Sequence, residues 1–65
     1  MPILRIEMFE GRTVEQKRAC AAALTRAFVE TCGGAPEGVT IIFADVAKAD
    51  WASGGRLAID PKPGG

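Results

Sequence analysis

Sixty-five residues with eight basic and eight acidic side chains hold one domain and leave no room for a second core. A formal net charge of zero, with no basic run longer than Lys17-Arg18, excludes the electrostatic footprint of a nucleic-acid or anionic-membrane binder. An apolar fraction of 48% with 25% charged residues is that of a folding chain, not of a disordered tail.

So small a domain buries too little surface to stand alone and normally leans on disulfides, a metal or partner chains. Cys20 and Cys32 fall in one expected helix, roughly 18 Å apart at 1.5 Å per residue, too far to bond to each other. There is no histidine, no Cys-x-x-Cys and no ligand-spaced acidic cluster, so no metal is expected. Association of several copies remains as the stabiliser. No apolar stretch reaches membrane-spanning length and no signal peptide is legible, which with two unpaired thiols points to the cytoplasm.

Ile3 to Phe9 alternate, with Leu4, Ile6 and Met8 set against Arg5 and Glu7, which predicts a half-buried strand ended by Glu10-Gly11. Thr13 followed by Gln16 forms a capping box, so a helix begins at Val14. It runs without Pro or Gly to Cys32, and Gly33-Gly34 stops it. At 100° per residue Val14, Cys20, Ala21, Leu24, Ala27, Phe28, Thr31 and Cys32 share the apolar arc. Lys17 alone intrudes, with its methylenes along the core edge and its ammonium expected in water. Cys20, on that arc, reads as a small buried hydrophobe, and Cys32 at the helix C-terminus as a poor nucleophile.

Ala35 to Gly38 is a turn, and Val39 to Asp45, apolar on nearly every residue, predicts an interior strand parallel to the first. Strand, helix and parallel strand make one βαβ unit of the α/β class, with a right-handed crossover. Beyond it stand an irregular turn around Ser53-Gly54-Gly55 and a short strand over Arg56 to Ile59. Residues 1–60 form the domain, and 61–65 are expected to be a flexible tail, with fraying from Asp60 onward. Two strands and one helix do not suffice in water, so protomers should pair into four-stranded sheets, leaving one face to cover against further copies.

Chemistry has few carriers here. Ser53 has no histidine to activate it, and Ser53-Gly54-Gly55 lacks the Lys and helix of a phosphate cradle. Met1-Pro2 is different, because removal of the initiator Met exposes a secondary amine at the head of a strand. Such an amine titrates near ~7.7–8.0 in model peptides, and apolar surroundings beside a cation move it down toward neutrality. Alone the dipeptide carries no catalytic meaning.

In combination it does. Pro2-Ile3, Glu10-Gly11-Arg12-Thr13, Glu15-Gln16-Lys17 and Ala47-Lys48 together resemble the 4-oxalocrotonate tautomerase family over residues 2 to 60. The resemblance implies a hexamer of three dimers and a keto–enol tautomerase without cofactor, in which Pro2 is a general base acting on small unsaturated carboxylic acids of the 2-hydroxydienoate type. It implies that Arg12 binds a substrate carboxylate and that Trp51 and Phe9 wall the pocket, with Phe9 standing where the family usually has an aliphatic residue. One departure concerns Thr40, at the position of the family's second arginine. That loss changes the substrate, is compensated by Arg56 or Arg5, or marks one subunit of a mixed hexamer with a paralogous chain. Within the same fold, the alternative activity is hydration or dehalogenation of a 3-substituted acrylate with protonated Pro2 as acid, and from another class the alternative is a non-catalytic subunit.

Overall fold

Seven alternating residues open the fold. In a computed structural model that describes residues 1–61, strand β1 spans Ile3–Phe9 and pairs in parallel with β2, Thr40–Val46. The register sets Leu4 beside Ile41, Ile6 beside Phe43 and Met8 beside Asp45. Helix α1, Val14–Cys32, connects the two. Both halves of the expected capping box are present: the Thr13 hydroxyl accepts from the Gln16 amide at 3.1 Å, and the Gln16 side chain accepts from the Thr13 amide at 2.9 Å. At the other end the amide of Gly33, at φ 84°, donates to the Val29 carbonyl, a conformation that favours glycine.

The strand's alternation sorts side chains between two faces. Ile6, Met8 and Phe43 line a crevice with Gln16, Lys17 and Cys20 of α1, so Leu4, Ile41 and Asp45 share the helix side. Ile3, Arg5, Glu7, Phe9, Thr40, Ile42, Ala44 and Val46 carry the other face. The β2 strand begins and ends one residue later than its apolar run suggests. Its interior character is not met within one chain, where Ile42 is 39% exposed on the face without a helix.

The helix is also turned from its expected orientation. Lys17, Ala21, Leu24, Thr25, Phe28 and Val29 are half-buried, whereas Val14, Cys20, Ala27, Thr31 and Cys32 are exposed. The arc is rotated toward Thr25 and Val29, and Cys20 is not the buried hydrophobe expected of it. Lys17 ends at the solvent-exposed edge as expected but not unpartnered: its Nζ lies 2.6 Å from Asp45 Oδ2 and ties the first turns of α1 to the end of β2. The helix-face position of Asp45, opposite Met8, creates this partner.

After β2 the chain makes a 3₁₀ turn, Lys48–Asp50, and then a hairpin in place of the expected irregular turn and strand. Strand β3, Ala52–Ser53, pairs antiparallel with β4, Arg56–Leu57, so the last strand stops short of Ala58 and Ile59. Gly54 and Gly55, at φ 60° and 82°, form its two-residue loop with positive φ at both positions, which matches the right-handed strand twist. Asp60 is not frayed, since its carboxylate accepts from the Leu57 amide at 3.3 Å. The Pro61 carbonyl accepts from Arg56, and residues 62–65, which make up most of the expected tail, lie outside the described residues.

None of the described residues is fully buried. The chain exposes 4969 Å², against roughly 3,950 Å² for a folded monomer of its mass. Its radius of gyration of 15.7 Å exceeds the roughly 11 Å of a compact chain of this length.

Candidate active site

The chain brings two of the four candidate residues together. Phe9 ends β1 on the face without the helix, and Trp51 follows the 3₁₀ turn, so that their rings meet at 4.6 Å between centroids with 56° between planes. This tilted packing suits the ring quadrupoles. Trp51 is held by its carbonyl, which accepts from the Ala58 amide at 2.7 Å, and by its own amide, which donates to Lys48. The Lys48 ammonium stands 5.6 Å from the Phe9 centroid, within the range at which a cation is attracted by a ring face.

Phe9 and Trp51 line a cavity of about 280 Å³ with Ser53, Arg56, Leu57, Ala58, Asp60 and Pro61. It is an apolar hollow with one cation, Arg56, and one carboxylate, Asp60. The hairpin completes its wall, because the tight Gly54-Gly55 loop turns β4 back past Trp51.

Arg12 does not join this cavity. It precedes the helix cap and lines the smaller crevice of about 130 Å³ between α1 and the sheet, on the other side of β1 from Phe9. Pro2 is farther still. It stands at the head of β1, half-buried, with its carbonyl accepting from the Thr40 amide at 3.0 Å. The seven residue steps from Pro2 to Phe9 span roughly 23 Å at 3.3 Å each, so one chain sets the two at opposite ends of a strand. The Met1 that precedes Pro2 is 99% exposed.

The sequence reading left Lys48 without a role, although the proximity of a lysine to an aromatic pair is what a 3₁₀ turn after β2 produces. It also missed β3. A Gly-Gly pair between two short runs is a hairpin signal, and it was legible at Ser53 to Arg56.

A parallel βαβ unit headed by a proline and closed by a glycine-turned hairpin over an aromatic pair defines a class, and residues 2–59 match the family model described as tautomerase enzyme. The chain belongs to the tautomerase family and, by its relatives, to the 4-oxalocrotonate tautomerase group within it. A protein of Ralstonia nicotianae named probable tautomerase is 40% identical over 57 residues, 88% of each chain. A 2-hydroxymuconate tautomerase of Comamonas testosteroni is 42% identical over 58 residues, 89% of this chain and 92% of that one. The crystal structure of YwhB, described as a homologue of 4-oxalocrotonate tautomerase, superposes with a TM-score of 0.88 at 33% identity, covering 94% of this chain and all of that one. A 4-oxalocrotonate tautomerase isozyme structure from Methylibium petroleiphilum gives 0.80 at 42% identity, covering 88% and 92%. The chain is thus a tautomerase-family enzyme, of the isomerase class, with the α+β fold of that group.

Proposed function

We propose that the enzyme interconverts 2-hydroxydienoate-type acids and their conjugated 2-oxo isomers without a cofactor, with Pro2 as the general base. The observation that carries this reading is the placement of Pro2 at the head of β1, tied by its carbonyl to Thr40, far from Phe9 and Trp51 of the same chain. A site that uses all of them is built between chains, with Pro2 from one and the aromatic wall and Arg12 from neighbours. The excess exposed area and the extended shape support such an assembly as a homo-oligomer, for which the family likeness implies a hexamer of paired protomers. The relative named for 2-hydroxymuconate supports the substrate class. Two free cysteines fit a reducing cytoplasm.

In the proposed reaction the neutral Pro2 nitrogen takes the proton of the 2-hydroxyl. The C2–O bond becomes a carbonyl, the electron pair moves along the diene, and the Pro2 ammonium returns the proton to a distal carbon. Nothing is gained or lost overall. The Arg12 guanidinium holds a carboxylate by paired N–H donors and draws electron density toward it. Phe9 and Trp51 keep water from the site, which favours the uncharged amine.

The base exists only where Met1 is gone, because the Met1–Pro2 link is a tertiary amide without basicity. Intact mass of active protein should therefore lack one methionine residue. Pro2→Ala should lose roughly 10²-fold or more of 2-hydroxydienoate turnover at unchanged oligomer size. Full activity in that variant rejects the assignment of the base.

A further inference from the structure

We infer that Arg56 is a carboxylate anchor of the Phe9–Trp51 cavity, which takes a flat unsaturated acid with its carboxylate on the guanidinium and its carbon chain against the rings. This deepens the proposed tautomerase reading and rests on it for the reaction, whereas the binding step stands on the cavity itself.

The hairpin places Arg56 opposite Ser53, with both side chains in the cavity wall. One guanidinium nitrogen donates to the Pro61 carbonyl, which orients the group and leaves its other N–H donors for a ligand. Arg56 makes no ion pair among the described residues, whereas Lys17 is engaged by Asp45 and Arg18 by Glu15. Arg5 points from the middle of β1 and does not line this cavity, and Thr40 is uncharged. Of the cations on this side of the sheet, Arg56 is the one that lines the cavity with both aromatic rings.

The rest of the lining sets the ligand class. Leu57, Ala58 and Pro61 are apolar and, with two rings, suit a planar hydrocarbon chain. Asp60 turns its carboxylate to the Leu57 amide and would repel a second anionic end, so this cavity holds one carboxylate, on Arg56, and a second one belonging to the same ligand would lie outside it, where the proposed site places Arg12 of a neighbouring chain. A volume of about 280 Å³ lies at the small end of ligand pockets and fits an acid of about six carbons.

Trp51 is the chain's only tryptophan, so its fluorescence reports this cavity. The experiment titrates the whole protein with sorbate (2,4-hexadienoate) and with the matched neutral alcohol, 2,4-hexadienol. Sorbate should quench saturably, and the alcohol should bind at least about tenfold more weakly, as expected for loss of a charge-assisted hydrogen bond. Arg56→Gln, which keeps an N–H donor for Pro61, should reduce sorbate to the affinity of the alcohol. Equal affinity for acid and alcohol, unchanged sorbate binding in Arg56→Gln, or no saturable quenching overturns the inference. If Arg56→Gln loses its helical circular dichroism, the acid-against-alcohol comparison in the unaltered protein decides alone. Pro2→Ala separates this from the catalytic reading: sorbate binding should persist while turnover is lost, and turnover that survives removes the base without touching Arg56.

Discussion

The Pro2 carbonyl accepts the Thr40 amide at 3.0 Å, which makes the ring at the head of β1 part of the ladder that joins the two parallel strands. If Pro2 is the base, as proposed, this attachment fixes its direction, so less freedom is lost when a substrate proton is aligned with it.

The pH profile follows from its charge state. A protonated amine takes no proton, so kcat/KM should fall about tenfold per unit as the pH drops below the amine pKa and level off above it. If the assembly shelters the nitrogen from water, that limb lies below the ~7.7–8.0 of an exposed α-amine. Measured rates that rise on acidification would assign Pro2 as an acid instead.

The aromatic wall offers a separate measurement. Trp51→Ala removes the partner of Phe9, which costs about 0.5–1.5 kcal/mol of pairing, and opens the cavity, so kcat/KM should fall. The acid limb should move up in pH as water enters. A fall in kcat/KM with no displacement of the limb would leave Trp51 a packing role only.

The Lys17–Asp45 pair joins helix to sheet at 2.6 Å, with side chains 26% and 36% exposed. Exposure of that order keeps its worth to about 0.2–1 kcal/mol. Lys17→Met should therefore lower the urea midpoint only slightly, and a loss of several kcal/mol would mean that Lys17 has a further partner in the assembly.

The hairpin loop separates backbone conformation from packing. A Cβ at Gly54 or Gly55 meets no atom within 4 Å, so any cost there is conformational. Gly54→Asn should be tolerated, since Asn accepts positive φ, while Gly54→Val should destabilise by about 1–2 kcal/mol and shift Trp51 emission. Equal behaviour of the two variants would show that the loop does not hold this geometry in solution.

Much of the fold was legible because local rules acted locally. Thr13 and Gln16 specify the start of α1, Gly33 its end, and the alternation around Leu4, Ile6 and Met8 the strand, each through groups a few residues apart. The parallel pairing of β1 with β2 followed from their separation by one helix. The rotation of α1 was not legible, since the position of Thr25 and Val29 depends on how the helix seats on the sheet. Nor was the Lys17–Asp45 contact, made across 28 residues by the register of β2. The grouping of Phe9 with Trp51 came from family likeness, and Arg56 was a candidate, beside Arg5, through the charge missing at Thr40; the structure adds Lys48 to the pair and seats Arg56, not Arg5, in the cavity wall, which no spacing in the chain announces. The separation of Pro2 and Arg12 from that pair is a matter of strand length and sheet face.

The lack of any fully sheltered side chain among residues 1–61 has a cellular corollary. If the missing shelter comes from neighbours, the lifetime of the fold depends on how many copies are made, and scarce expression exposes each newly finished chain to proteolysis until it meets others. Abundance would then govern the specific activity of each molecule, and not merely the total.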